Sequence, residues 1–222
     1  MTGENRLIIT MDGPAGSGKS SVSKEVAARL GYRYIDTGAM YRAVAVMSHE
    51  LGIEPDDDEG LERLCDKINI EFVDGNIIVD GRDLSSEIRT PTADGLSSMV
   101  SSREPVRRAM IALQRKMAAR GGVVMEGRDI GTVVLPNADA KFYITASPEI
   151  RGERRHRERL GKGEESNLDE VIEAIRDRDE RDSRRELSPL KPASDAQIID
   201  TSNLDISEVV GTILKRLGKD DS

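Results

Sequence analysis

The chain has 222 residues, 33% of them charged, with a net charge of −8 and a single cysteine, Cys65. That length suits an α/β domain with small insertions, the acidic balance argues against a nucleic-acid partner, and one cysteine excludes an intrachain disulfide framework. No apolar run approaches the ~18 residues of a membrane span and no charged-then-apolar leader precedes the first apolar segment, so a cytoplasmic protein with no membrane partner is expected.

Taken from the N-terminus, RLIITMD is short, apolar and β-branched, the pattern of a buried strand. It runs into Gly13, Pro14, Ala15, Gly16, Ser17, Gly18, Lys19 and Ser20, the spacing G-x-x-x-x-G-K-S of a phosphate-binding P-loop, with Ser21 next in line. Glycines let successive backbone N–H groups turn inward onto phosphate oxygens. The helix behind them adds unpaired N–H groups and a positive dipole end. That helix is SSVSKEVAARL, with Val22, Val26, Ala27 and Leu30 at helical spacing. Lys19 is expected to reach the β- and γ-phosphates of ATP, and the Ser20 hydroxyl to sit on Mg²⁺.

YRYID is the next candidate strand, and AMYRAVAVMSHEL and DDDEGLERLCDKI are candidate helices. The pattern then changes to two short β-branched runs, NIEFV and IIVDG, joined at Asp74-Gly75-Asn76, a hairpin signal because Gly accepts positive φ. A hairpin inside an alternating strand–helix chain marks an insertion, placed at residues 38–95. SSEIRTPTADGLSSMVSS and REPVRRAMIALQRKMAARGG read as helices, with Thr90 as N-cap and Pro91 at N1. VVMEGRDIGTVV reads as a buried strand and a turn, AKFYITAS as a strand, and Ser147-Pro148 as the start of an arginine-dense helix. Asn167 with Glu170 resembles a capping box for the long helix that follows. AQIIDTS and DISEVVGTILKRL close the chain as strand and helix. The alternation predicts a parallel sheet flanked by helices.

Residues 151–185 hold ten Arg and one Lys against eleven Asp and Glu. Much of this is a solvated face of i,i+4 pairs, into which Arg176 and Arg184 fit. The preference for Arg over Lys points further, because the planar guanidinium grips phosphate bidentately. Arg178, Asp182 and Arg185 share one helix face, with Arg181 beside them. Arg154, Arg155, Arg157 and Arg159 flank a glycine-containing loop suited to a flap over charged ligands. There is no N-K-x-D segment of a GTPase. A kinase whose acceptor is a phosphate monoester fits best: the second phosphate pKa is near 6, so the attacking oxygen is already ionised and positive charge matters more than a general base. With two Phe, four Tyr and no Trp, a bound base must rely on hydrogen bonds and guanidinium planes. Another small-metabolite kinase, acting on UMP as well as CMP or on shikimate, and an ATP-binding protein without turnover remain the alternatives.

DGPAGSGKS, YIDTGAMYRA, VDGRDLSSEIRT, EGRDIGTVVLPNA and RDERDSRRELSPLKPASDA, in this order, resemble the bacterial cytidylate kinases over about residues 6–217. The resemblance implies an ATP:(d)CMP phosphotransferase of the nucleoside-monophosphate kinase fold. In that fold residues 1–37, 96–153 and 186–222 form the P-loop core, residues 38–95 an NMP-binding insertion with a small antiparallel sheet, and residues 154–185 the lid and its following Arg-rich helix. Matched by motif, Thr37 lies near the acceptor nucleotide. Arg42, Arg128 and Arg178 bind the CMP phosphate. Ser98, Arg107, Asp129 and Arg185 surround cytosine, and Asp182 holds sugar hydroxyls and nearby arginines. Lys19, Arg128, Arg178 and Asp182 form the implied catalytic set, and Arg154 and Arg157 reach ATP from the lid. Glu126 is given no metal role. A monomer acting on small molecules, without nucleic acid, is expected.

Overall fold

In the computed structural model, which describes residues 6–184 and 188–219, the chain runs β1 (Ile8–Asp12), α1 (Lys19–Leu30), β2 (Arg33–Asp36), α2 (Thr37–Glu50), α3 (Asp58–Lys67), β3 (Ile70–Val73), β4 (Asn76–Val79), β5 (Arg82–Asp83), α4 (Pro91–Val100), α5 (Glu104–Ala118), β6 (Val123–Gly127), β7 (Ala140–Thr145), α6 (Pro148–Gly161), α7 (Leu168–Ser183), β8 (Gln197–Asp200) and α8 (Ile206–Arg216). It divides into two units, Met1–Tyr34 with Gly121–Ser222, and Ile35–Arg120.

The first unit is built on a five-stranded sheet of order β2-β6-β1-β7-β8. β1 runs parallel to β6, with Asp12 opposite Gly127, and parallel to β7, with Asp12 opposite Tyr143. All three strands therefore end at one edge, where the P-loop and the turn after β6 begin. Such carboxyl edges are where open α/β sheets bind ligands. The strands read as continuous apolar runs because helices cover both faces. Ile9, Met11, Phe142 and Ile144 pack with Val22 and Val26 of α1 and with Val209, Val210 and Ile213 of α8 in one buried core. The capping box with both reciprocal bonds is at Asp205 and Glu208, at 2.8 and 2.9 Å. Asn167 caps α7 by accepting from Asp169 and Glu170 N–H.

The second unit packs α2 against α4 and α3 against α5, beside a three-stranded antiparallel sheet of order β3-β4-β5. Val73 pairs with Asn76, and Asp74 and Gly75 between them have φ of 51° and 83°, both positive as the favoured two-residue turn requires. Asp80 and Gly81, at 49° and 83°, repeat the device between Val79 and Arg82, so IIVDG opens a second hairpin that the sequence reading did not separate. The segment SSEIRT, expected as helix, is mostly a turn. Ser85 Oγ accepts from Ile77 N–H, and one 3-10 turn spans Glu87–Arg89. Pro91 forces the residue before it out of the helical region, and Thr90 is extended at φ −92° and ψ 153°, so α4 starts afresh there with Thr90 Oγ1 capping Ala93 N–H. Among the described residues no helix is long and apolar enough to cross a membrane.

Candidate active site

The loop between β1 and α1 has the backbone that its glycines promise. Gly13, Gly16 and Gly18 have φ of 151°, 77° and 85°, a region costly for side chains with a Cβ. A Cβ on Gly13 would also collide with the Ile144 carbonyl of β7. Gly18 caps α1 without any side-chain hydrogen bond, which leaves the first N–H groups of the helix for an anion. Lys19 is buried, its Nζ donating to Pro14 O at 3.2 Å, so it lies folded along the loop it would serve. Ser20 is exposed on the first turn of α1. A hydroxyl oxygen is of the donor type that hard cations such as Mg²⁺ accept. Ser17 Oγ is buried without a hydrogen-bond partner.

Two arginines of α6 hold this loop from behind. Ser147 caps the helix by accepting from Ile150 N–H, and positions 151 and 154 then fall on one face. Arg154 donates to Thr201 O at 2.6 Å, Thr201 Oγ1 at 3.1 Å and Ser17 O at 3.5 Å. Thr201 Oγ1 in turn donates to Ser17 O at 3.0 Å. Arg151, whose side chain is 3% exposed, donates to Ala15 O at 3.1 Å, to Ala146 O at 2.9 Å and to both carboxylate oxygens of Asp179, at 3.1 and 2.5 Å. Arg157 lies elsewhere: its side chain is 71% exposed and pairs with Glu153 at 3.4 Å.

The turn after β6 carries the second group of candidates. Arg128 Nε donates to Asp182 Oδ2 at 3.4 Å and its Nη1 to Gly127 O at 3.2 Å; Asp182, on α7, is buried. The turn after β6 and the helix α7 thus meet through this bond. Arg178 is half-buried one turn earlier on α7 and Asp129 is buried. Glu126 is buried and accepts from the Tyr34 hydroxyl at 2.5 Å. Asp12 closes the arrangement, one oxygen accepting from Ile130 N–H at 2.8 Å and the other from Gly131 N–H at 2.7 Å. Burial raises its carboxyl pKa to about 6, against the lowering effect of those two bonds.

In the second unit, Asp36 caps α2 through Ala39 N–H and accepts from Arg42 Nη2 at 3.2 Å; Arg42 Nη1 lies 3.9 Å from Asp94. Thr37 is buried at the head of α2. Ser98 is half-buried on α4. Arg107 is buried on α5, donating to Ser101 O at 3.5 Å with its guanidinium 6.0 Å from the Tyr41 ring centre, within cation–π range. Arg185 lies outside the described residues.

Sequence reasoning did not single out Asp12, Arg151 or Thr201. Asp12 opens the P-loop stretch and looked like strand end; Arg151 stood among many arginines; Thr201 carries no local signal.

The family model described as Cytidylate kinase matches residues 9–219. A cytidylate kinase of Geobacter sp. (strain M21) is 49% identical, with 98% of this chain and 97% of that protein aligned. One from Geobacter sulfurreducens is 50% identical over 94% of this chain and 91% of that protein. Among solved structures, an uncharacterised protein from Eubacterium ventriosum aligns over 96% of this chain and 99% of its own at a TM-score of 0.55 and 13% identity. Shikimate kinase from Acinetobacter baumannii aligns over 96% and 94% at 0.50 and 15%. These two are likenesses of fold alone. With the family model covering nearly the whole chain and relatives near half-identical end to end, the chain belongs to the cytidylate kinase family.

Proposed function

We propose that this chain transfers the γ-phosphate of ATP to CMP or dCMP, giving CDP or dCDP and ADP. The observation that carries this is an open-ended P-loop, backed by Arg154, in a chain of the cytidylate kinase family. Residues 13–21 would bind the donor phosphates through backbone N–H groups, with Lys19 leaving Pro14 O for the β- and γ-oxygens and Arg154 beside the loop. Arg157 would join only by leaving Glu153. Mg²⁺, held by the phosphates and Ser20, would neutralise charge on the transferring group.

Acceptor binding is assigned to the insertion at residues 38–95 with its neighbours, and the lid to residues 154–185; residues 1–37, 96–153 and 186–222 are the core. Arg42, Arg128 and Arg178 are the arginines proposed for the CMP phosphate. Asp182 keeps Arg128 oriented by the bond already present and would take a sugar hydroxyl. Thr37, Ser98, Arg107 and Arg185 complete the acceptor set. Asp129 would accept from the cytosine amine, where uracil presents an oxygen. The acceptor oxygen of CMP is largely ionised at neutral pH, so these residues position and neutralise, and no strong base is required. The reading carries with it a cytoplasmic monomer that takes small molecules and neither nucleic acid nor membrane, in keeping with the net charge of −8.

A coupled assay of ADP release with ATP and Mg²⁺ tests it, comparing CMP, dCMP, UMP, AMP and shikimate. Fast release with CMP and dCMP alone is expected. Release with shikimate and with no nucleotide would overturn the acceptor assignment.

A further inference from the structure

We infer that Asp12 is a positioning residue for acceptor binding: it caps the turn after β6 from the end of the adjacent strand and thereby fixes Arg128 and Asp129. This rests on the acceptor roles proposed for those two residues.

The turn over Ile130–Val134 is a single π-helical turn, and its N-cap residue, Asp129, makes no side-chain cap bond to it. An aspartate at that position ordinarily satisfies the first free N–H groups of its own turn. Here the Ile130 and Gly131 N–H groups go to the two oxygens of Asp12 instead, at 2.8 and 2.7 Å. The cap is thus supplied by the last residue of β1, and Asp129 is relieved of it.

The packing is moulded to this contact. A Cβ on Gly131 would stand 2.9 Å from Thr10 Oγ1, 3.2 Å from Lys141 Cδ and 3.3 Å from Asp12 Oδ2. A side chain at 131 would force Thr10 or the turn to shift away from this contact. The arrangement is costly as pure architecture. Asp12 is 4% exposed, and its proton affinity is raised by burial and by Asp129, with Arg128 and the two N–H groups opposing. Tyr143 also faces it, and its phenol feels the Asp12 charge. A neutral amide would fill the same space without a buried charge, yet could accept only one of the two N–H groups.

The test compares wild type, Asp12→Asn and Asp12→Ala in the full chain, measuring KM for CMP, KM for ATP, kcat and the thermal midpoint. For Asp12→Asn we expect KM for CMP to rise roughly tenfold, the loss of about one charged hydrogen bond, KM for ATP to stay within about twofold, and the midpoint at pH 7.5 to hold or rise. Asp12→Ala should lose more CMP affinity. Equal KM values for CMP in wild type and Asp12→Asn, a parallel rise in both KM values, or an Asp12→Asn chain that does not fold would each overturn the inference in favour of a structural or donor-side role. A wild-type chain that turns over ATP with no CMP dependence would instead remove the function on which the inference rests.

Discussion

Removing the Asp179 carboxylate should cost the protein more stability than its half-buried position on α7 suggests. Arg151 is the reason. Its guanidinium is enclosed, with two N–H groups on Ala146 O and Ala15 O and the remaining fork on Asp179. Asp179→Ala strands that fork. Breaking a buried pair from one side costs about 3–5 kcal/mol. The Asp179 side chain is itself 24% exposed, so water can enter the vacated space, and about 2–3 kcal/mol is a better expectation. For a chain of this length each kcal/mol moves the midpoint by about 2–4 °C, so the drop should be roughly 4–12 °C. Asp179→Asn, which keeps one acceptor, should fall between. The assay is thermal unfolding followed by far-UV circular dichroism, repeated in urea to check that the slope is unchanged. Arg157→Ala is the internal control, since its pair with Glu153 lies in solvent and should shift nothing measurable. If Asp179→Ala melted with the same midpoint as Arg157→Ala, the argument that Arg151 needs its partner would be wrong.

Lys19→Ala should abolish most turnover while CMP binding, read by calorimetry, stays within about threefold, because Lys19 belongs to the donor side; a collapse of CMP affinity with turnover intact would contradict its role. Asp129→Asn should cut the ratio of kcat/KM for CMP over UMP by about tenfold, the value of one mismatched buried hydrogen bond, and an unchanged ratio would remove Asp129 from base recognition. The stability of wild type should vary with pH against that of Asp12→Asn. The Asp12 carboxyl titrates at about 6 in the fold against 3.8 ordinarily, so the stability its proton contributes is complete below about 3.8 and is lost as pH rises through 6. The variant should therefore gain on wild type by on the order of 3 kcal/mol between pH 4 and pH 7, and parallel pH profiles in urea would refute the shift.

Where the signal is local, the sequence was a sufficient guide. Gly13, Gly16 and Gly18 need positive φ, Thr90 and Ser147 precede a proline at a helix start, and Asp74-Gly75 can turn only one way; each reads from a few neighbouring residues. Arg178 and Asp182 were legible for a related reason, since helical spacing alone puts them on one face. What escaped depends on residues far apart. Asp12 meets Ile130 and Gly131 only after β1 and β6 pair, Thr201 meets Ser17 only through β8, and nothing near Arg151 distinguishes it from Arg157. Both are arginines on α6 six positions apart, yet one is enclosed and the other solvated. SSEIRT failed for the opposite reason: its helical composition was overruled by Pro91 and by the Ser85 hydroxyl.

The strand order also sets a timetable for synthesis. Ile8 pairs with Val123 and Ile9 with Ala140, so β1 leaves the ribosome long before either neighbour exists, whereas Ile35–Arg120 is complete before β6 begins. Contacts of such sequence separation form late, after the entropy of closing the intervening loop has been met. The P-loop consequently stays without a sheet beneath it until β6 and β7 emerge, exposing an apolar β1 to misassociation for that interval. Chains truncated after Arg120 and released from the ribosome are expected to yield a protease-resistant fragment over residues 35–120 while residues 6–34 are digested, and equal protection of both segments would show that β1 finds shelter earlier than its pairing allows.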